Sequence, residues 1–390
     1  MKKKIDPKKP VKNNMLDISR TISRGLLYEV HISDLHFGTV NPKTEYEILH
    51  EQFINKIITM PKIDIISVNG DIFDHKLLSN SDAVLYASLF IDELCSIAMR
   101  YNAALILIDG TPSHECGQLK LFYHYLNNPG LEIHIVNNIQ FVYTHGAKIL
   151  CIPELHGVDE SVYREYLYLN YCDQVFGHMT FKGAVYGDNV GTGRLFCIED
   201  FLRCSGPIIS GHVHKPGCFD KHFYYCGSPM RYKFGEEEPK GFLIVVMDLD
   251  NQRYYTNFEE ITSFRYDTIE LEDIISTDPK KVIEYIDNLK HTRGIDYIKI
   301  KFKYVIDGSS KTIITNFYRN RNDVKLEFID VQEEAARKLE EGQREQNEKY
   351  SFITNNKLSD YEKFVQYVNI QEGYDFINVD TLKQILLEEI

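Results

Sequence analysis

Asp34 and His36 flank Leu35, Asp71 and Asp74 stand three residues apart, His114 lies between Ser113 and Glu115, His178 follows Gly177, and His212 and His214 flank Val213. Taken singly, each is an ordinary core or surface residue. Taken together they form a set of oxygen and imidazole donors that all follow short apolar runs, an arrangement with few explanations other than a shared metal site. Carboxylates mixed with imidazoles suit Mn, Fe or Zn better than Ca or Mg, which favour all-oxygen shells. Two such ions roughly 3.5–4 Å apart polarise a phosphate and lower the pKa of a shared water, so phosphoester hydrolysis is the chemistry this set favours. The Asp34-x-His36 and His212-x-His214 spacings predict extended strand ends, where residues two apart point the same way.

The elements that must carry these donors are legible as a rhythm. Apolar runs at 26–32, 63–68, 103–108, 149–152, 207–209 and 242–247 alternate with Gly, Asp, His and Asn clusters and with helical stretches, as in a layered α/β domain. Nearly unbroken apolar strands are buried on both faces, which predicts flanking helices and functional residues just beyond the strand ends, where loops open onto a crevice. After about residue 250 the pattern changes. Alternation at 297–304 and 311–317 predicts strands, and 279–289 predicts a helix, together a smaller α+β domain. A Gln- and Glu-rich stretch, 332–349, follows. Beyond it Ser359 and Glu362 can form a capping box, and Tyr361, Phe364, Val365 and Val368 repeat at helical spacing, with a second short helix at 382–390. The expected organisation is a basic tail at 1–24, a chemistry-bearing domain at 25–250, a small domain at 251–330, and a linker with C-terminal helices at 331–390.

Composition limits the function classes. With 44 basic and 57 acidic residues the formal charge is -13, which weighs against a chain that coats itself in nucleic acid. It leaves room for a local DNA site in which metal ions supply the positive charge. Eight cysteines without a C-x-x-C pair read as free thiols of a reducing compartment, and no secretory core follows the Lys-rich start, so a cytoplasmic protein is expected. No apolar run approaches the roughly 18 residues that span a bilayer, which predicts no membrane segment. There is no P-loop or G-x-G-x-x-G fingerprint, so any ATP dependence must come from a partner.

Asp34-Leu35-His36, Gly70-Asp71-Ile72-Phe73-Asp74, Ser113-His114-Glu115, Gly177-His178 and Gly211-His212-Val213-His214 resemble the five ordered motifs of calcineurin-like metallophosphoesterases. The GDIFD form, Gly227-Ser228-Pro229, Phe234-Gly235-Glu236 and Lys240-Gly241-Phe242 resemble the SbcD-type nuclease subunits of double-strand-break repair and their phage counterparts. The resemblance covers about 26–250 in motif and 251–330 in pattern only. It implies an αββα phosphoesterase core with a capping domain, two divalent metal ions, usually Mn2+, and DNA exonuclease and endonuclease activity. It also implies an SbcC-like ATPase partner gripped through C-terminal helices, and commonly a homodimer. By the same resemblance Asp34, His36 and His214 hold one ion, His178 and His212 the other, and Asp71 bridges. His114 is the catalytic histidine, oriented by Glu115. Asp74 is either a site residue or the cap of a following helix. The family's third motif has an Asn ligand. Ser113 takes that place if two residues are inserted after Gly110, and its poorer donor predicts a weaker second ion. Two alternatives stay open: a phosphomonoesterase or nucleotide phosphodiesterase of the same fold, against which the 140 residues past the core argue, and a catalytically weak scaffold for DNA ends.

Overall fold

The computed structural model describes residues 24–155, 160–182, 195–219 and 222–329, with Lys363 and Gln366. The basic tail up to residue 23, the stretch 332–349 and, apart from Lys363 and Gln366, the C-terminal helical segments lie outside the described residues. The chain is α/β and divides into two compact units between Tyr266 and Asp267.

The first unit contains two six-stranded sheets. In one, Leu26–Ile32 pairs in parallel with Ile65–Asn69, which continues in parallel to Ala104–Ile108 and Glu132–Val136; on its other side it pairs antiparallel with Gly241–Asp248, and that strand with Arg253–Glu260. In the other, Ala147–Ile152, Gln174–His178, Ile208–Gly211 and Phe223–Tyr225 run parallel, with antiparallel Gln140–Thr144 and Gly217–Phe219 at the edges. The central strands IISVN and ALILI are buried at every position, as expected for β-branched, apolar strands covered on both faces. Ile65, Ile106 and Ile108 of the first sheet share one core with Ile149, Phe176 and Ile209 of the second. Leu150, Val175 and Ile208 pack instead with Tyr163 and Leu167 of the helix Glu160–Leu169. The long helix Asp82–Tyr101 contacts strands of the first sheet; Ser81 Oγ caps its start and Asn102, at φ 52°, ends it. Ser81 therefore fills the capping role considered for Asp74. His31, which matches no motif, is fully buried between Ser67 Oγ (2.6 Å) and Glu29 Oε2 (3.2 Å) and serves packing.

The second unit is built on the strands Tyr266–Leu271, Tyr297–Phe302 and Val324–Phe328 with the helices Pro279–Arg293 and Gly308–Tyr318. The segment 311–317, expected as a strand, is helical. Asp307 accepts from the backbone of Ser309 (3.1 Å) and Ser310 (2.9 Å) and so starts a helix. Ser310, Ile314 and Tyr318 are its buried positions, a spacing of four. The local cap and the four-residue spacing outweigh the β-branched run that suggested alternation. Among the described residues no helix is long and apolar enough to cross a membrane.

Candidate metal centre

Every donor sits at or just past the carboxyl end of a parallel strand, where open α/β sheets form their ligand crevices. Asp34 and His36 follow Leu26–Ile32, Asp71 follows Ile65–Asn69, and His114 follows Ala104–Ile108. From the second sheet, His178 ends Gln174–His178, and His212 and His214 follow Ile208–Gly211.

The strand ends are not extended, as the two-residue spacing suggested. Asp34, His36, Asp71 and His212 all have left-handed backbone, with φ of 54°, 50°, 53° and 83°. Non-glycine residues rarely adopt this conformation, and it persists only where the surroundings fix it. Here backbone bonds from Asp34 to Gly70 (3.0 Å), His36 to Asp71 (2.9 Å) and Phe37 to Ile72 (2.9 Å) zip the first two loops together. Two glycines make room. A Cβ on Gly70 would lie 2.2 Å from His178 Nδ1, and one on Gly110 would lie 2.2 Å from Asp71 N and Oδ1.

Asp71 is the meeting point. Its Oδ2 is 3.0 Å from His114 Nδ1, 3.3 Å from His178 Nε2 and 3.8 Å from His36 Nε2. Burial opposes its charge, but His178, His114 and His36 together hold its carboxyl well below the usual range. Four sets have ligand atoms lying within 4.8 Å of one another: Asp34, His36 and His214; His36, Asp71 and His114; Asp34, Asp71 and His178; and Glu154, His178 and His212. These groups could hold metal ions. His36 Nε2 faces His214 Nε2 at 3.0 Å, and burial drives His36 down to about 4, so its ring is neutral with a lone pair to give. His36 Nδ1 is buried without a hydrogen-bond partner. His178 Nδ1 donates to Asn69 O (2.9 Å), which turns Nε2 toward His212 Nδ1 at 3.2 Å. His214 Nδ1 is held by Glu236 Oε1 at 2.7 Å, an imidazole–carboxylate support typical of metal ligands. Although burial works against it, the bond to His214 and the charge of Lys240 bring Glu236 to about 2. Lys240 Nζ also reaches His214 O (3.3 Å) and Ser228 Oγ (3.0 Å), so the segments 227–229 and 234–242 buttress this ligand loop.

Two expected residues are elsewhere. Ser113 is exposed. The hydroxyl among the donors is that of Thr111, 2.9 Å from Glu154 Oε2, 3.2 Å from Asp71 Oδ2 and from His178 Nε2, and 3.5 Å from His212 Nδ1. Thr111 follows Gly110 directly, so the two extra residues come after the hydroxyl and not before it. Glu115 does not reach His114. It is 1% exposed, accepts from Ile72 N (2.5 Å), and is raised well above the carboxylate range by burial and by the nearby charge of Asp71. Asp71, not Glu115, holds the His114 ring. Asp74 Oδ1 is 3.6 Å from His36 Nδ1, at the edge of the centre.

The sequence reading missed Thr111, Glu154 and Glu236. Glu154 was findable, since it stands two residues past the run 149–152, at the same kind of position as the other donors. Glu236 lay inside a segment noted for its resemblance, but nothing in sequence pairs it with His214.

No family model matches the chain. A protein of Invertebrate iridescent virus 6, 244L, provisionally described as a phosphoesterase, is 26% identical over 226 residues, which is 56% of this chain and 75% of that protein. One crystal structure covers 61% of this chain and all of its own at 12% identity and a TM-score of 0.37; another, of a protein of unknown function from Aquifex aeolicus, covers 44% and 88% at 17% identity and a TM-score of 0.21. Structural likeness at these scores adds nothing to the fold or the chemistry.

Proposed function

We propose that this chain is a metal-dependent phosphoesterase, that its substrate is the phosphodiester backbone of DNA, and that it works with an SbcC-like ATPase. The observation that carries the hydrolase reading is the single Asp71 oxygen facing imidazoles from three different loops, with a likeness to a viral protein described as a phosphoesterase beside it. The motif resemblance of 70–74 and 227–242 supports DNA as substrate. In this reading Asp34, His36 and His214 would hold one ion and His178 and His212 another, with Asp71 between them. Bound divalent ions supply Lewis acidity and a lowered pKa for water. The remaining work belongs to the side chains. The hydrogen bond that His114 Nδ1 donates to Asp71, working against partial burial, raises His114 above the ordinary imidazole value and so favours the protonated ring that a general acid needs. Glu236 and Asn69 O fix the rings of His214 and His178 so that only one nitrogen of each faces the crevice.

The test is hydrolysis by the purified full chain with Mn2+ on linear duplex DNA, a chromogenic phosphodiester and a chromogenic phosphomonoester. Cleavage of the first two supports the nuclease reading. Activity on the monoester alone would move the substrate class, and no hydrolysis with ions bound would favour a scaffold. Loss of ATPase co-purification on truncation before Ser351, with metal binding kept, would support the partner.

A further inference from the structure

The donor group on the second sheet contains a carboxylate with no assigned role. Glu154 follows Pro153 at the end of Ala147–Ile152, and its side chain is 8% exposed. Its Oε2 lies 3.3 Å from His212 Nδ1, 4.0 Å from His178 Nε2 and 2.9 Å from Thr111 Oγ1. Thr111 is itself fixed, because its backbone N–H donates to Asp71 Oδ1 at 2.6 Å and Pro112 follows it. A hydroxyl carries one proton, so when Thr111 donates it to Glu154 it orients the carboxylate toward the two imidazoles.

We infer that Glu154 is a ligand of the ion held by His178 and His212, filling with a carboxylate the position expected of a neutral side chain on the third-strand loop. The inference rests on the metal-dependent reading above. Its chemistry follows from charge. An anionic oxygen replaces a neutral one, and the ligand shell for two ions then includes three carboxylates, Asp34, Asp71 and Glu154. Hard divalent ions gain most from added carboxylate charge. The second ion is therefore not the weak one that an exposed Ser113 would have produced. Thr111 acts as a positioning residue for Glu154, and Ser113 has no part in the shell.

The experiment is a calorimetric Mn2+ titration of the full chain, paired with electron paramagnetic resonance of the bound Mn2+, on wild type, Glu154→Gln, Glu154→Asp and Ser113→Ala. Wild type should bind two ions and show an exchange-coupled pair. Glu154→Gln keeps shape but removes charge, and one ion should weaken by at least the roughly 10–100-fold that loss of a mere outer partner costs, with the coupled signal giving way to isolated Mn2+. Thermal unfolding in chelator should match wild type, which separates ligand loss from misfolding. If that variant does not fold, Glu154→Asp carries the test, since its shorter reach should also weaken one ion. Ser113→Ala should change neither affinity. Two wild-type ions with both affinities unchanged in the Glu154 variants, or a loss in Ser113→Ala, would overturn the inference while leaving the metal-dependent reading intact. A wild-type chain that binds no ion would overturn that reading, and the inference with it.

Discussion

Up to Tyr266, Asp34 and Asp71 are 0% and 2% exposed and crowd beside imidazoles, and Asp34, His36, Asp71 and His212 hold left-handed backbone. Beyond Asp267, charge stays near the surface and is matched. Arg321 reaches Asp287 and Asp323 at 2.9 Å, Lys290 reaches Asp323 at 2.5 Å, and Lys303 reaches Glu270 at 2.5 Å. Among the described residues of this second unit only Gly294 has positive φ. Its core of Ile286, Ile298, Ile300, Phe302 and Ile314 is apolar. Strain and buried charge cost stability, and a chain tolerates them where the residues do something other than fold. The first unit keeps such costs at the ends of its parallel strands, whereas the described residues of the second show an apolar core and ion pairs near its surface.

The largest expected effect breaks the first region. Asp71→Asn keeps the shape of the side chain but removes the charge that three imidazoles face. Mn-dependent hydrolysis should fall by roughly 10³-fold or more, while the thermal midpoint in chelator stays near wild type. Near-normal cleavage by this variant would remove Asp71 from the centre of the chemistry. His114→Ala should cost roughly 10²–10⁴-fold in rate, the scale of a general acid, with both ions still bound. If the ions leave with the activity, His114 is a ligand and the assignment of roles around Asp71 changes.

A prediction on the second region sharpens the contrast. Phe302 is fully buried and stacks on Phe328 at 4.9 Å between ring centres. Phe302→Ala should lower the unfolding free energy of that unit by about 3–5 kcal/mol in urea titrations, without changing Mn2+ affinity. A parallel loss of metal binding would show that the two units do not divide stability and chemistry as described.

The sequence made six strands of the first unit legible because full burial leaves a plain signal, as in the largely apolar runs 63–68 and 103–108, whereas Gln174–His178, which carries His178, has no such run. The donors' positions after those strands followed from the same logic. What it hid was conformation and partnership. The left-handed turns at Asp34, His36 and Asp71 depend on backbone bonds to a neighbouring loop, which no local spacing encodes. The choice between Thr111 and Ser113 depended on where two residues were inserted, and only the close approach of Gly110 to Asp71 fixes it. Glu115 looked like a partner of its neighbour His114, yet it turns beneath the second loop to accept from Ile72. The helix Gly308–Tyr318 was masked by Ile and Thr residues, whose strand preference is weak against a well-placed Asp307 cap.

The smallest effect concerns the surface charge of the second unit. Asp323 receives Arg321 through two nitrogens, Nε to Oδ1 at 3.1 Å and Nη2 to Oδ2 at 2.9 Å, and Lys290 closes the group. The bond from Arg321, followed by partial burial acting in the opposite sense and then by Lys290, sets its carboxyl at about 2, below the ordinary 3.8. A folded value below the unfolded one means that the stabilisation is complete above pH about 4 and is lost as the pH falls toward 2. The Asp323 side chain is 29% exposed, so after solvent screening the contribution is about 1 kcal/mol. Asp323→Asn should therefore destabilise the unit by about 1 kcal/mol at pH 7, and the gap to wild type should shrink between pH 4 and pH 2.5 in urea titrations. A gap that persists unchanged to the lowest pH would mean that Asp323 acts through hydrogen-bond geometry and not through charge, and the surface pairs of this unit would then be part of its packing.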